Sequence, residues 1–334
     1  MEKYPSVRSL KFASSITVAF ILSVLPGCLR QEFKKAKFAP PPGKIIFIVG
    51  QDNDTIEEYI NNTGTVPAGF MVYTSIQECK GIYLPVDYGS GPQCFQCLVE
   101  KYPNTVIQLG LYMTGALEEI LSHKYDKNID KLSRWIKNSE RPVYLRIGYE
   151  FDLPQNSYKP EKYIEAYRYI VDRLRKDKVE NVAYVWHSCG CYSYRPPIEW
   201  YPGNNYVDWV GLSYFYPVTK YTERVVELAE KLNKPLMIGE ATPRGVGTRY
   251  ADYAWKRWFE PFFEFIKNNK VKAVCYINSD WESMPMWKEQ GWLDARVQAN
   301  PKIKNRWLKE IKKPPYLTAS PYLYKTIGYK KKRD

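Results

Sequence analysis

Two apolar runs in this chain end in glutamate: Val143-Tyr144-Leu145-Arg146-Ile147-Gly148-Tyr149-Glu150 and Lys234-Pro235-Leu236-Met237-Ile238-Gly239-Glu240. Read as a strand, the first places Arg146, Gly148 and Glu150 on one face by period-two alternation, with Leu145 and Ile147 on the other. An arginine and a glutamate on a buried face are costly unless they are paired or put to use. One such glutamate is as readily a salt-bridged strand end, but two that close comparable strands are better explained by chemistry. Carboxylates facing across a cleft can divide one displacement. A protonated one donates to a leaving oxygen, and an ionised one attacks the carbon that oxygen leaves. Cleavage of a glycosidic bond needs that division. Gly148 and Gly239 are expected to leave room beside the carboxylates, and Arg146 to favour ionised Glu240 if it reaches across.

The elements that must hold this pair alternate along the chain. Short apolar runs predict eight strands: Lys44–Val49, Ala68–Tyr73, Thr105–Leu111, Pro142–Ile147, Val182–Trp186, Tyr206–Leu212, Pro235–Ile238 and Val271–Ile277. Amphipathic stretches at Thr55–Ile60, Ile129–Lys137, Pro160–Lys176, Thr222–Leu232, Ala251–Asn268 and Pro301–Lys312 predict the helices. The connection Ser188–Asn205, with Pro196 and Pro197, reads as a loop that replaces or shortens the fifth helix. Alternating strands and helices without an internal linker predict a single (β/α)8 barrel, whose chemistry sits at the carboxyl ends of the strands. Residues at or just past each strand end are therefore the candidate ligand contacts: Gln51 and Asp52, Tyr73, Tyr112, Trp186 and His187, and Asp280 with Trp281. Polar groups among them would bond hydroxyls and the rings would stack flat ligands. Each taken singly is more often packing.

These runs resemble known strands. Arg141-Pro-Val-Tyr-Leu-Arg-Ile-Gly-Tyr-Glu150 resembles the acid/base strand of glycoside hydrolase family 26, in a large clan of retaining barrel enzymes, and Lys234-Pro-Leu-Met-Ile-Gly-Glu240 resembles that clan's nucleophile strand. Tyr206-Val-Asp-Trp-Val-Gly-Leu-Ser-Tyr214 is similar to its sixth strand, and Tyr276-Ile-Asn-Ser-Asp-Trp281 to its eighth, where a tryptophan often floors the sugar site. The resemblance spans roughly residues 44–312. It implies Glu150 as general acid/base, Glu240 as nucleophile, no cofactor and no metal. It also implies a substrate among β-mannan, β-1,3-xylan and mixed-linkage β-glucan. The chain departs from the mannanase pattern in three places. Tyr149 stands where histidine commonly precedes the acid/base, Phe151-Asp152-Leu153 replaces a Met-Asn-Gly turn, and Ser213-Tyr214-Phe215-Tyr216 replaces an Asp-x-Tyr. The tyrosine implied beside the nucleophile is thus Tyr214 or Tyr216, and the changes bear on which sugar is bound.

Composition fits this reading. The chain has 334 residues, 45% of them hydrophobic, enough for one large barrel core. Its 29 Tyr and 10 Trp offer rigid surfaces that suit sugar rings, or simply an aromatic-rich core. Lys3, Arg8 and Lys11 precede an uncharged run from Phe12 to Leu25 that ends Leu-Pro-Gly-Cys28. This pattern reads as an export signal over 1–27, and the ending resembles a lipobox that would make Cys28 a lipidated membrane anchor. A signal-anchor helix is the other reading. Residues 28–43 read as a tether, 44–314 as the barrel and 315–334 as a basic tail. Six further cysteines permit disulfides of unknown pairing, and Cys275, in an apolar run, reads as a buried thiol. With only His123 and His187 available, Cys94-x-x-Cys97 makes a poor zinc motif. The net charge of +13 comes without any nucleic-acid-binding signature, so the expected partners are a polysaccharide and a membrane, for a monomer. Two competing readings are a glycan-binding lipoprotein that has lost turnover and a surface protein that holds anionic polymers by its basic face.

Overall fold

The computed structural model describes residues 36–331. Eight parallel strands close into a barrel: β1 (Ile45–Gly50), β2 (Gly69–Ser75), β3 (Val106–Tyr112), β4 (Val143–Ile147), β5 (Val182–Ser188), β6 (Trp209–Tyr214), β7 (Leu236–Ala241) and β8 (Ala273–Ile277). Each strand pairs with the next in sequence, and β8 closes on β1 with Ile46 opposite Ala273 and Gly50 opposite Ile277. The main helices are α1 (Asn53–Thr63), α2 (Phe95–Lys101), α3 (Asp126–Ser139), α4 (Pro160–Lys176), α5 (Lys220–Lys231), α6 (Glu260–Asn268) and α7 (Pro301–Ile311). The expected eight strands and six helical stretches are all present. Helix α2 was not legible in the sequence. Between β5 and β6 the chain makes only one short turn, Pro197–Trp200, so the fifth helix is indeed curtailed. The stretch from Ala251 to Asn268 is helical but opens into a wide π-type turn at Trp255–Phe259, just before Pro261, which has no N–H for the regular ladder.

Strand alternation divides the apolar residues into two cores. Phe47, Val49, Leu145, Ile147, Trp186 and Tyr214 point outward into the layer under the helices. Ile46, Ile48, Met71, Tyr144, Trp209, Met237 and Cys275 fill the barrel itself. The amino-terminal end of the barrel is plugged from outside the strands. Phe38 packs edge-on to Tyr144 and Tyr329, Tyr144 donates its hydroxyl hydrogen to the Phe38 carbonyl at 2.7 Å, and Leu323 and Ile327 are buried there. Tyr316–Leu317 adds a short parallel strand to β1. Residues 36–43 and 315–331 therefore belong to the packed body, and the expected boundaries at 43/44 and 314/315 do not mark its edges. The candidate signal at 1–27 and Cys28 lie outside the described residues. Burial of these apolar side chains, at about 25 cal/mol per Å² removed from water, supplies the rigidity that the open end of the barrel requires.

Candidate active site

At the carboxyl ends of the strands lies a cleft of about 920 Å³, and both Glu150 and Glu240 line it. Neither arrives there by simple alternation. Strand β4 ends at Ile147; Gly148 (φ 55°) and Glu150 (φ 51°) both adopt the left-handed conformation. This turn, and not the pleat, aims Glu150. A non-glycine residue in that region is uncommon and needs outside support. Asn156 gives it by donating to the Glu150 carbonyl at 2.9 Å, and the Phe151 N–H donates to the His187 carbonyl at 3.3 Å. On β7, Met237 faces the barrel interior and Ile238 the helices, so strict alternation would turn Glu240 outward. The register slips there: Leu212 pairs with Ile238 but Ser213 pairs with Glu240. Gly239 is the extra residue of a β-bulge, which re-aims the next side chain into the barrel. The expected spaces beside the carboxylates are elsewhere. A Cβ on Gly148 would strike Met113 and Tyr163, and one on Gly239 would lie 2.8 Å from His187 Nε2.

The two carboxylates have different partners. Arg146 is completely buried and donates from Nη1 to Glu240 Oε1 at 2.5 Å, so it does reach across the barrel. Its guanidinium also lies against the rings of Tyr73 and Tyr149, at 5.2 and 4.9 Å, which themselves pack 5.4 Å apart. Burial works against the Arg146 charge, but Glu240 beside it outweighs this and raises its pKa. Glu150 instead accepts from Ser213 Oγ at 2.7 Å. Its pKa is raised to about 8, first by burial and then by the negative charge of Glu240, with Ser213 acting in the opposite direction.

A neutral histidine links the two halves. His187 is fully buried, and desolvation followed by the nearby Arg146 charge holds its pKa well below the usual value. Arg146 Nη1 lies 3.1 Å from His187 Nδ1, and Ser213 Oγ lies 3.4 Å from Nε2. Arginine can only donate, so Nδ1 accepts and the ring hydrogen is on Nε2. A continuous chain then runs from Arg146 through His187 and Ser213 to Glu150.

The other expected contacts separate into two groups. Gln51, Tyr112, Tyr216 and Trp281 line the cleft with the two glutamates. Trp281 is buried at its floor, donates to Thr242 Oγ1 at 3.1 Å and packs against Trp287 and Trp292. Six expected contacts are corrected. Trp186 points outward, stacked on Phe151 at 4.5 Å, because its neighbours Val185 and His187 take the inward positions. Tyr214 likewise faces Trp258, Phe262 and Phe265 under the helices. Asp52 caps α1, accepting from Thr55 N at 2.9 Å, and does not line the cleft. Asp280 is paired with Arg296 at 3.1 Å. His187 and Arg146 sit beneath the cleft as supports for the glutamates and do not line it. The implied tyrosine at the nucleophile is absent from Glu240's hydrogen bonds, where Arg146 stands; Tyr216 instead lies over Arg244 at 5.7 Å.

Several site residues escaped the sequence reading. Ser213 was visible only as one of four residues after an apolar run. Asp152, two residues past Glu150, is buried and accepts from Ser188 Oγ at 2.6 Å and Cys189 N at 2.7 Å, which ties the Glu150 turn to the end of β5. Trp287, Trp292 and Arg244 also line the cleft, as do the expected Tyr73 and the Tyr149 noted beside Glu150. The cysteines pair as Cys94–Cys97 and Cys189–Cys191, with Cys79 and Cys275 free and buried. Among the described residues no cluster of three or more His, Cys, Asp or Glu is placed to hold a metal ion.

With this geometry in place, the chain can be set beside known proteins. The model of Glycosyl hydrolase family 26 matches residues 119–286. The Beta-1,3-xylanase TXYA of a Vibrio species is 34% identical, over 96% of this chain and 75% of its own length. A Beta-1,3-xylanase of an Alcaligenes species is 33% identical, over 88% of this chain and 68% of its own. Among solved structures, a family 26 β-mannanase from Bacteroides ovatus superposes with a TM-score of 0.60 at 15% identity, over 83% of this chain and 91% of that one. A Cellulomonas fimi endo-β-1,4-mannanase double mutant gives 0.58 at 18% identity, over 84% and 73%. At such identities the structures speak for the barrel alone.

Proposed function

The chain belongs to glycosyl hydrolase family 26 and is a glycosidase acting on β-glycan; from that premise we propose that it is a β-1,3-xylanase working by double displacement, with Glu240 as nucleophile and Glu150 as acid/base. The observation that carries the roles is the contrast between the two carboxyl groups. Glu240 is held by a buried arginine, which suits an ionised attacking group. Glu150 has a raised pKa and a single hydroxyl donor, which suits a proton donor at neutral pH. In the first step Glu240 attacks the anomeric carbon while Glu150 protonates the departing oxygen. In the second, Glu150 takes a proton from water, which displaces Glu240. A retaining reaction needs the carboxyl groups about 5–5.5 Å apart. Tyr216, Tyr112 and Trp281 would pack against sugar rings, and Gln51 would bond hydroxyls. Endo action is the expected mode for a cleft that the chain can cross.

The choice of β-1,3-xylan is supported by the two relatives at 34% and 33% identity and by the three departures from the mannanase pattern. A reducing-sugar assay on β-1,3-xylan, β-mannan and mixed-linkage β-glucan tests it. Turnover on β-1,3-xylan should exceed the other two by at least about tenfold, a difference of 1.4 kcal/mol. Faster turnover on mannan would remove the substrate proposal and leave the two glutamate roles standing.

Export and anchoring belong to the same proposal. The basic, then apolar, N-terminus and the Leu-x-Gly-Cys28 ending support a mature form that starts at a lipidated Cys28. Intact-mass analysis of membrane-extracted protein should show an acylated Cys28; an unprocessed chain bearing Met1 in the cytosol would refute it.

A further inference from the structure

The loop after β5 carries an aromatic group that the chemistry does not use. Tyr192 is 54% exposed and Tyr194 78% exposed, yet they are packed edge-to-face with centroids 5.3 Å apart. Tyr192 also meets Tyr221, from α5, at 5.7 Å and 87°. Exposed apolar rings gathered from two segments signal a contact surface more than scattered single ones do. Tyr192 and Tyr221 line the cleft, so this surface is continuous with the site.

The loop beneath it is firmly held. Cys189 and Cys191 are joined by a disulfide, Cys189 N and Ser188 Oγ both donate to Asp152, and Thr222 Oγ1 donates to the Gly190 carbonyl at 3.3 Å. Gly190 has φ 59°, and a Cβ there would lie 2.9 Å from the Ser213 carbonyl oxygen, so the loop lies directly against β6. Asp152 and Ser213 are the residues that also fix the Glu150 turn and its carboxylate. The tyrosines are thus in fixed register with Glu150. Rings held in place lose little further freedom when a ligand stacks on them.

We infer that Tyr192 and Tyr194, backed by Tyr221, form a stacking platform for sugar units on the leaving-group side of the glycan chain. This rests on the reading of Glu150 as the acid. The acid must sit beside the departing oxygen, so the departing chain emerges over the Glu150 turn, beside the β5 loop that Asp152 ties to that turn. The occupant is the β-glycan backbone itself: Lys220 and Arg224 already lie over the Tyr221 ring, at 5.2 and 5.8 Å, whereas among the described residues no cation lies over Tyr192 or Tyr194, so the faces left open suit neutral sugar rings.

The test compares wild type with Tyr192→Ala and Tyr194→Ala on β-1,3-xylan, on an aryl β-xylobioside, which has no sugar on the leaving side, and on a β-1,3-xylohexaose labelled at its reducing end. In each variant the ratio of kcat/KM for polymer to that for the aryl glycoside should fall about 5–30-fold, the scale of one lost aromatic anchor. Cleavage of the labelled oligomer should also shift toward its reducing end, because fewer leaving-side units are then held. An unchanged ratio and an unchanged cleavage pattern would overturn the platform, as would equal losses on both substrates, which would mean the loop only supports Glu150. If wild type cleaves none of these substrates, the functional reading fails by itself. Retardation of wild type, but not of Tyr192→Ala, in a gel containing β-1,3-xylan then decides the platform separately.

Discussion

Glu240→Ala should reduce turnover of the polysaccharide by at least about 10⁴-fold, and by as much as the roughly 10⁶-fold seen when a covalent nucleophile is deleted. The reason is local. Glu240 is the one glutamate lining the cleft that is held by a buried arginine, and the bulge at Gly239 fixes its direction. Alanine removes the attacking oxygen but leaves the acid/base in place. A small anion should therefore fit the vacated space, attack the same carbon and leave as an α-glycosyl azide, inverted relative to the substrate. Chiral analysis of the azide product by NMR checks the assignment. A variant that keeps more than a few per cent of wild-type turnover without azide would remove Glu240 from the nucleophile role.

Glu150→Ala should divide substrates by leaving group. Loss of general acid catalysis costs about 10²–10⁴-fold on polysaccharide, whose leaving hydroxyl needs a proton. Aryl glycosides with acidic phenols need little help in the first step, so they should show a rapid burst of phenol followed by slow release of sugar. Azide should then give the β-glycosyl product, opposite in configuration to that from the Glu240 variant. The pH dependence carries the same assignment. In the proposed role Glu150 acts while protonated, and burial together with the Glu240 charge holds its pKa up to about 8. For the wild type, kcat/KM should stay level through neutral pH and fall as pH rises through about 8. Ser213 donates to the carboxylate and so favours its ionised form; Ser213→Ala should move this alkaline limb to higher pH. A limb that stays in place would place Ser213 outside the titration of Glu150.

The two variants also probe one network. Arg146, His187 and Ser213 join Glu240 to Glu150 through buried contacts, and burial, with the Arg146 charge beside it, keeps His187 neutral. A cation at His187 would add unpaired charge beside Arg146, so the ring can serve as an acceptor from one side and a donor to the other only in its neutral form.

The sequence by itself determined the architecture and singled out the two glutamates that the structure brings to one cleft. Strand runs such as Ile46–Val49 and Val182–Trp186 are apolar on both faces because a barrel strand is buried inside and outside, and the helical stretches between them show a single apolar stripe. Those patterns are local, and locating the strand ends was enough to single out Glu150 and Glu240. Which face of a strand turned inward was not legible: the strand Val182–Trp186 is apolar throughout, so only the closed barrel put Val185 and His187 inside and turned Trp186 toward the helices. What else only the tertiary structure decided lies past the last regular pair of each strand. The left-handed turn at Gly148 and Glu150 and the bulge at Gly239 break the two-residue period just where the strands reach the cleft, so no periodic reading carries through them. The partner of Glu240 comes from β4 across the barrel, and that of Glu150 from β6, contacts set by closure of the sheet and not by spacing along the chain. The roles of Asp52 and Asp280 were decided in the same way: a helix terminus and an arginine from a later turn reached those carboxylates before any ligand could, because a buried carboxylate takes whatever donor the fold brings nearest.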